Sequence, residues 1–320
     1  MQVSNEVQAA QELADIHKKL KAEISKVIVG QEEVIDQVLL SLFCNGHSLL
    51  VGVPGLAKTL LIKTISEALD LQFNRIQFTP DLMPSDIIGS EILDEQRQFR
   101  FIRGPLFANI ILADEINRTP PKTQAALLEA MQEKNVTAAG HEHALPRPFF
   151  VLATQNPIEQ EGTYPLPEAQ LDRFMFHIVL DYPRFEEEVM VVKSTTGGPS
   201  EKVNKVLDES SLLRFQDLIR QVPVSDNVVE YAVKLVSKTR PNTTHATDKV
   251  NEFLAYGAGP RASQNLILVA KGHALMQGKF SPDIEDVQAV AEPILRHRIV
   301  RNYKAEAEGI SVEAIIQSLF

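Results

Sequence analysis

The sequence has few of the features that mark secreted proteins and no stretch typical of a membrane protein. It contains a single cysteine, Cys44, so no disulfide can form within the chain, and the apolar neighbours Leu42 and Phe43 predict that this thiol is buried. No window approaches the ~18 apolar residues of a membrane-spanning helix, and the charged segment from Met1 to Lys26 lacks the apolar core of a signal peptide. A cytoplasmic location is therefore expected.

Positive charge is also scarce. The chain has 32 Lys and Arg residues against 42 Asp and Glu residues, a formal net charge of -10, whereas proteins that bind nucleic acid carry clustered basic residues. Hydrophobic residues make up 44% of the chain and charged residues 23%, which is typical of a globular protein with a sizeable core. A length of 320 residues suggests two domains, or one core with a helical appendage. We expect neither a nucleic-acid partner nor membrane insertion.

Short apolar runs alternate with helical patterns over the first part of the chain. Amphipathic helices are predicted over residues 11–27 and 32–45, and a third helix follows the strand that begins at Ser48. Strands are predicted at residues 48–51, 74–78, 110–113, 149–154 and 176–180. Because most of these runs lack polar alternation, they predict an α/β fold with a five-stranded parallel sheet that helices cover on both faces.

Two further segments define the predicted domain organisation. Residues 136–145 have the pattern of a β-hairpin that turns near Gly140 and is inserted into the sheet order. Residues 195–200, Thr-Thr-Gly-Gly-Pro-Ser, have the composition of a linker, and the pattern beyond them is almost entirely helical. We therefore predict an α/β core over residues 1–195 and an all-helical domain over residues 196–320.

A glycine-rich turn lies between the first predicted strand and the helix after it. Residues 52–59, Gly-Val-Pro-Gly-Leu-Ala-Lys-Thr, match the phosphate-binding consensus Gly-x-x-x-x-Gly-Lys-Ser/Thr except that Ala57 replaces the last glycine. Such a turn directs backbone N–H groups and the positive end of a helix dipole at phosphate oxygens. Lys58 would reach the β and γ phosphates, and Thr59 would bind Mg²⁺. Taken alone, the motif could also be a simple Gly-Pro turn.

Two adjacent carboxylates follow the predicted strand at residues 110–113. In a phosphate-loop protein the first, Asp114, would hold Mg²⁺ through water, and Glu115 would polarise the water that attacks the γ phosphate. The alternative is a strand end with two solvated charges. Because the pair lies one strand-helix-strand unit after the glycine-rich turn, the two motifs together predict a site for ATP and Mg²⁺.

Several motifs together resemble those of the MoxR family of AAA+ ATPases. The resemblance runs from about residue 29 to residue 298. It is carried by residues 52–59 with their alanine, Pro-Ser-Asp-Ile-Ile-Gly at 84–89, Gly-Pro-Leu at 104–106, Leu-Ala-Asp-Glu-Ile-Asn-Arg at 112–118, Leu-Leu-Glu-Ala-Met-Gln-Glu at 127–133, Ala-Thr-Gln-Asn-Pro at 153–157, Leu-Asp-Arg-Phe at 171–174 and Gly-Pro-Arg-Ala at 259–262. Single motifs recur in other AAA+ groups, but the combination is specific for this family.

The resemblance implies a P-loop NTPase core of the AAA+ type, a helical lid domain, and roles that spacing alone does not assign. Asn156 resembles the sensor of the γ phosphate or the attacking water, whereas the residues alone favour a turn asparagine before Pro157. Arg173 resembles an arginine finger that reaches the ATP of a neighbouring subunit, although it could also be a surface charge or a partner for Asp172. A finger of this kind requires a ring, and the family forms hexamers. Arg261 resembles a second sensor, located in the lid.

The expected site can be stated residue by residue. Residues 28–31, Ile-Val-Gly-Gln, lie where this class contacts adenine, although a plain turn before a helix explains them nearly as well. Nucleotide contacts are expected from Val29, Gly30, Gly52, Val53, Pro54, Gly55, Leu56, Ala57, Lys58, Thr59 and Leu60. Catalytic roles are expected for Lys58, Asp114, Glu115, Asn156, Arg173 and Arg261, and Mg²⁺ contacts for Thr59 and Asp114.

The family resemblance implies an ATPase that remodels or matures a client protein. Such proteins act in maturation or metal-cofactor insertion, often with partners that contain a von Willebrand factor A domain. A subunit of a magnesium-chelatase-like enzyme shares this logic and stays an alternative. A nucleic-acid motor is disfavoured because residues 136–145 contain no Lys or Arg, and a switch that hardly hydrolyses ATP is disfavoured by Glu115 and Arg173.

Two other patterns carry less weight. His141 and His143 share a predicted strand face, but no further ligands lie at zinc-like spacing, so an exposed loop is favoured over a metal site. Residues 257–262, Gly-Ala-Gly-Pro-Arg-Ala, look like a dinucleotide-binding motif. We reject that interpretation because residues 250–256 read as helix rather than strand and a proline occupies the helix start.

Overall fold

The structure is a computed structural model that describes residues 2–93, 95–158, 162–197 and 201–320, and its packing forms two compact units. The α/β unit comprises Lys18–Arg173 and Ile178–Leu213, and the helical unit comprises Met1–His17, Phe174–His177 and Arg214–Phe320. The domain boundary predicted after residue 195 stays a prediction. Of the predicted linker, residues 195 and 196 belong to a helix, and residues 198–200 lie outside the described residues.

The chain contains both helices and strands as far as residue 196. In chain order they are α1 (Gln2–Ile24), α2 (Glu32–Phe43), β1 (Ser48–Gly52), α3 (Lys58–Ala68), β2 (Phe73–Gln77), α4 (Pro84–Ile88), β3 (Gly89–Leu93), β4 (Phe99–Arg103), β5 (Ile110–Asp114), α5 (Pro121–Glu133), β6 (Asn135–Ala138), β7 (His141–Ala144), β8 (Phe150–Gln155), α6 (Glu168–Leu171), β9 (Phe176–Leu180) and α7 (Phe185–Thr196). A 3-10 helix at Ile116–Arg118 follows β5. The later elements are α8 (Glu209–Gln221), α9 (Asp226–Lys238), α10 (Asp248–Phe253), β10 (Leu254–Tyr256), α11 (Pro260–Met276), α12 (Ile284–Leu295), β11 (Val300–Arg301), α13 (Tyr303–Ala307) and α14 (Val312–Gln317).

Five strands form one sheet in the order β2-β5-β8-β1-β9. The pairs β2–β5, β5–β8 and β8–β1 are parallel. The inner strands β5 and β8 are buried over all but their last residue, as expected for strands that are apolar on both faces. The predicted α/β fold with a five-stranded parallel sheet is confirmed.

The strand order gathers the carboxyl ends of neighbouring strands at one edge of the sheet. Gln77 at the end of β2 pairs with Asp114 at the end of β5, and Val51 in β1 pairs with Gln155 at the end of β8. Because parallel strands end at the same edge, the segments that follow β1, β5 and β8 lie side by side there. The residues of the candidate site come from these segments.

The α/β unit carries two β-hairpins outside the main sheet. The hairpin predicted over residues 136–145 is confirmed as β6 and β7, which turn through Ala139 and Gly140 at φ values of 51° and 80°. The hairpin of β3 and β4 was not predicted. Its residues are exposed at nearly every position, and β3, Gly-Ser-Glu-Ile-Leu, has no alternation between apolar and polar residues for a strand prediction to detect.

His143, in strand β7 of the β6–β7 hairpin, packs against the other hairpin. The ring of His143 stacks on Phe101 of β4 with centroids 4.0 Å apart, which joins the two hairpins. Within the described ranges, no cluster of three His, Cys, Asp or Glu side chains could hold a metal ion. His143 therefore packs between the two hairpins.

The helix prediction for residues 250–256 is correct as far as Phe253 and wrong for the last three residues. The helix α10 ends at Phe253, and the next three residues form β10, which pairs with β11 about 45 residues later in the chain. Local sequence does not reveal a partner at that distance, which is why the helix prediction is wrong there. A Cβ atom on Gly257 would lie 2.3 Å from the carbonyl oxygen of Thr239, so close backbone packing requires this glycine. This packing explains why residue 257 is glycine, so a dinucleotide-binding role is not needed to explain it.

Two predictions about burial and hydrophobicity agree with the structure. Cys44 is buried, as its apolar neighbours predicted. Among the helices of the described residues, none is both long enough and apolar enough to cross a membrane.

His47 connects two backbone segments in the core of the α/β unit. Its Nδ1 accepts a hydrogen bond from Val151 N at 3.0 Å, and its Nε2 lies 3.1 Å from Met131 O. Since Nδ1 is an acceptor, the ring is neutral with its proton on Nε2. Burial lowers the pKa of His47 to about 4.

The free energy of unfolding should consequently depend on pH through His47. Between pH 6.5 and 4, His47 binds a proton in the unfolded chain but not in the folded chain. The contribution of His47 to the free energy of unfolding is therefore complete above pH 6.5, and it decreases by about 3 kcal/mol at most as the pH falls. Urea unfolding at pH 7, 5.5 and 4.5 measures this slope. The variant His47→Gln should have a smaller slope across this window, and an equal slope in both proteins would contradict the assignment.

Candidate active site

The glycine-rich turn closes at the carboxyl end of β1. A Cβ atom on Gly52 would lie 2.7 Å from Leu180 O, so only glycine fits this strand end. Val53 and Pro54 lead to Gly55, which has a φ of 86° and nothing within 4 Å of the position a Cβ would take. Ala57 adopts a left-handed conformation with φ 56° and ψ 23°, and α3 begins at the next residue. The turn therefore closes despite the alanine, which costs about 1 kcal/mol relative to glycine at such a position.

Lys58 extends back over this turn. Its Nζ donates a hydrogen bond to Gly52 O at 2.5 Å. Burial lowers the pKa of the Lys58 ammonium, and the carboxylates of Asp114 and Glu115 oppose that shift. With the N-terminus of α3 beside it, the turn combines a cation, backbone N–H groups and the positive end of a helix dipole. Such a turn is suited to bind phosphate groups.

Thr154 positions both members of the acidic pair. Its Oγ1 donates to Asp114 Oδ1 at 2.6 Å and accepts a hydrogen bond from Glu115 N at 2.9 Å. Glu115 has φ 57° and ψ 49°, a left-handed conformation that is unfavourable for a residue with a side chain. The hydrogen bond from its N–H stabilises that conformation. Because of the turn, the adjacent carboxylates of Asp114 and Glu115 point in different directions.

Three further polar residues contact the acidic pair. Arg75 donates to Asp114 Oδ2 through Nη2 at 2.6 Å and through Nε at 3.1 Å. Gln77 Nε2 donates to Glu115 Oε2 at 2.8 Å, and Arg118 Nη1 donates to the same oxygen at 3.2 Å. Sequence reasoning missed Arg75, Gln77 and Arg118. The sequence could have indicated Arg75 and Gln77, because these residues lie two positions apart on β2 and therefore share one face of a strand that ends at the edge of the sheet where the site lies.

Asn156 directly follows β8 and is buried. Its Oδ1 accepts a hydrogen bond from Ile158 N at 3.1 Å, which supports the turn, as the structural interpretation of this asparagine expected. The same residue also faces the glycine-rich turn across a cleft. Asn156 can therefore stabilise the turn and still contact a bound molecule.

These residues line one cleft with a volume of about 520 Å³. Its lining consists of Pro54, Gly55, Leu56, Ala57, Lys58, Thr59, Leu60, Arg75, Asp114, Glu115 and Asn156. A volume of this size is typical of small-molecule sites. Phosphate-binding groups thus face two carboxylates and a hydroxyl, the oxygen ligands that Mg²⁺ prefers.

The turn at residues 28–31 lies beside the glycine-rich turn. Gln31 Nε2 donates to Leu56 O at 3.4 Å, a long hydrogen bond that connects the two segments. Gly30 has a φ of 69°, and a Cβ there would lie 2.8 Å from the carboxyl carbon of Glu187, so this position is closely packed. Val29 and Gly30 are half-buried outside the lining of the cleft, and their contact with adenine stays a prediction.

Arg173 does not line the cleft in the described part of the chain. Arg173 lies in the turn after α6 in the α/β unit and is half-exposed. Arg261 lies in the first turn of α11 in the helical unit and is exposed. Their predicted roles in catalysis stay predictions.

Comparison with known proteins agrees with this geometry. Residues 47–176 match the model of the ATPase family associated with various cellular activities, and residues 247–319 match the model of the AAA lid domain. The chain is 44% identical over 306 residues to the chaperone MoxR1 of Mycobacterium tuberculosis, covering 95% of this chain and 81% of that protein. It is 41% identical over 310 residues to the uncharacterized protein YeaC of Bacillus subtilis, covering 95% of this chain and 94% of that protein.

A solved structure is similar over the whole chain. The crystal structure of a candidate ATPase from Cytophaga hutchinsonii superposes with a TM-score of 0.93 at 44% identity, and the match covers 100% of this chain and 97% of that one.

Proposed function

Because this chain belongs to the MoxR family of AAA+ ATPases, and is thus an ATP hydrolase, we propose that it hydrolyses Mg·ATP at the subunit interfaces of a ring to remodel a client protein. One observation carries the ATP part of this proposal. The cleft brings the glycine-rich turn, both acidic residues and Asn156 together from separate parts of the chain.

The glycine-rich turn binds the phosphates in this proposal. The backbone N–H groups of residues 55–59 and the start of α3 face the phosphate oxygens, and Lys58 exchanges its hydrogen bond with Gly52 O for the β and γ phosphates. Thr59 and Asp114 would hold Mg²⁺, and a hydroxyl and a carboxylate suit that ion. When bound, Mg²⁺ withdraws negative charge from the phosphate oxygens.

Glu115 orients and activates the attacking water. Both hydrogen bonds to its carboxylate described above end on Oε2, so we assign Oε1 to the water. Asn156 provides a second polar contact in the cleft, to the γ phosphate or to this water. Positioning of the water by Glu115 and of the reacting groups by Asn156 is most of what phosphoryl transfer requires from a protein.

In this proposal, arginines from outside the cleft neutralise the negative charge that develops as the γ phosphoryl group leaves. Arg173 is half-exposed and does not line the cleft of its own subunit in the described residues, which suits a guanidinium delivered to a neighbouring subunit. Arg261, in the helical unit, serves as the second sensor of the same subunit in this proposal. A hexameric ring is the assembly that we propose for these contacts.

The client side of the proposal rests on the family alone. One relative is named a chaperone, and we propose chaperone-like remodelling or maturation of a client in the cytoplasm. A partner with a von Willebrand factor A domain, and metal-cofactor insertion into the client, are specific forms of this proposal.

Substitution of Lys58 tests the nucleotide site directly. Lys58→Ala should weaken ATP binding about a hundredfold, because the β and γ phosphates lose their principal side-chain cation. Isothermal titration calorimetry measures the affinity. Lys122→Ala, at an exposed lysine of α5, is the matched control and should bind ATP like the wild type. Unchanged affinity in Lys58→Ala would rule out the proposed nucleotide site.

A further inference from the structure

The cleft contains a second cation besides Lys58, and this cation is bonded to the proposed metal ligand. Arg75 lies on β2, the neighbour of β5 in the sheet, and lines the cleft. Its guanidinium donates two hydrogen bonds to Asp114 Oδ2, at 2.6 and 3.1 Å. Neither the phosphate-loop motif nor the acidic pair assigns a role to this arginine.

Both oxygens of Asp114 have protein donors. Oδ2 accepts from Arg75, and Oδ1 accepts from Thr154 Oγ1 at 2.6 Å. The Asp114 carboxylate, which would hold Mg²⁺ through water, therefore already has its negative charge compensated by a guanidinium. A second cation near this carboxylate is repelled by the guanidinium, to an extent that solvent screening reduces.

We propose that Arg75 competes with Mg²⁺ for Asp114, so that Arg75 sets the Mg²⁺ concentration at which the site is filled. The inference rests on the proposed function of the cleft. Arg75 acts through Asp114 and is a positioning residue, since its two hydrogen bonds also fix the orientation of that carboxylate.

The surroundings of Arg75 allow it to leave Asp114. Its Nη2 also donates to Gln77 Oε1 at 2.7 Å, two residues further along the same strand, which provides a second anchor. The Arg75 side chain is 47% exposed, so its free end can turn into solvent. Solvent also screens the ion pair at this exposure, so we expect a moderate effect, about fivefold in the required Mg²⁺ concentration.

The experiment measures Mg²⁺ dependence without turnover. Calorimetric titrations with a non-hydrolysable ATP analogue at increasing Mg²⁺ concentrations give the Mg²⁺ concentration of half-maximal effect on nucleotide affinity. Arg75→Ala should lower this concentration about fivefold. Arg75→Lys should lie between Arg75→Ala and the wild type, because lysine keeps the charge but cannot make two hydrogen bonds from a planar group. Arg100→Ala, on the exposed strand β4, removes a positive charge outside the cleft and should leave the value unchanged.

The outcomes separate this inference from the function it rests on. If the wild type binds the analogue but Arg75→Ala needs as much Mg²⁺ as the wild type or more, the proposal that Arg75 competes with Mg²⁺ is wrong. The proposed nucleotide site is not affected by that result. If the wild type binds no nucleotide at any Mg²⁺ concentration, the proposed function fails and the competition fails with it. Thermal melting monitors folding. If Arg75→Ala does not fold, Arg75→Lys decides, and a Mg²⁺ requirement equal to that of the wild type overturns the proposal.

Discussion

Replacing Arg173 by alanine is expected to lower ATP turnover by about a thousandfold or more while ATP binding is retained, because arginine fingers contribute mainly to the transition state. The guanidinium stabilises charge that develops only as the γ phosphoryl group leaves, so the ground-state complex loses little without it. Steady-state phosphate release measures turnover, and calorimetry measures ATP affinity. Arg173→Lys should recover only part of the rate, because lysine lacks the planar fork of donors.

A mixing experiment tests whether Arg173 acts between subunits. Subunits with Arg173→Ala keep an intact Glu115, and subunits with Glu115→Gln keep an intact Arg173. In rings assembled from a random equal mixture, about a quarter of the interfaces combine an intact Glu115 with an intact Arg173, so measurable turnover should return. Mixtures that stay as inactive as the separate variants would argue against a finger in trans. Wild-type turnover in Arg173→Ala alone would remove Arg173 from catalysis.

Glu115→Gln is expected to bind ATP and lower its turnover about a thousandfold, the scale of general base catalysis. Glutamine keeps the size of the side chain and can still contact Gln77 and Arg118, but it cannot accept a proton from water. Single-turnover experiments with radiolabelled ATP measure the chemical step apart from product release. Glu230→Gln, at an exposed glutamate of α9, is the matched control and should behave like the wild type.

Normal hydrolysis by Glu115→Gln would exclude Glu115 as the base. With the expected result, the variant holds ATP without turnover and becomes a probe for the client. A pull-down with Glu115→Gln in the presence of ATP should retain proteins that the wild type releases, and Lys58→Ala serves as the nucleotide-free reference. A protein with a von Willebrand factor A domain among those retained would support the specific form of the client proposal.

Much of the α/β core could be predicted because its signals are local. The buried strands are continuous apolar runs, and the hairpin of β6 and β7 contains the Ala-Gly turn that its tight reversal needs. The hairpin of β3 and β4 has no such signal, since exposed strands can carry any residue type. The strand β10 depends on a partner about 45 residues away, which local periodicity does not report.

In the candidate site, too, features encoded by adjacent residues could be predicted, and features that depend on the backbone conformation could not. The glycine-rich turn and the pair Asp114 and Glu115 are contiguous in the chain, so covalent spacing keeps each motif intact. The chemistry of both motifs could therefore be predicted from the order of residue types along the sequence. The left-handed conformations of Ala57 and Glu115 were not visible, because neither residue type favours that backbone geometry.

The sequence by itself determined the α/β fold, the phosphate-binding turn and the two carboxylates, because each depends on periodicity or on adjacent residues. Only the tertiary structure decided which donors hold those carboxylates. Arg75, Gln77 and Thr154 reach Asp114 and Glu115 from 38 to 40 positions away along the chain. That meeting depends on the order β2-β5-β8 and on its parallel register, which the packing of the whole sheet sets and no local pattern encodes.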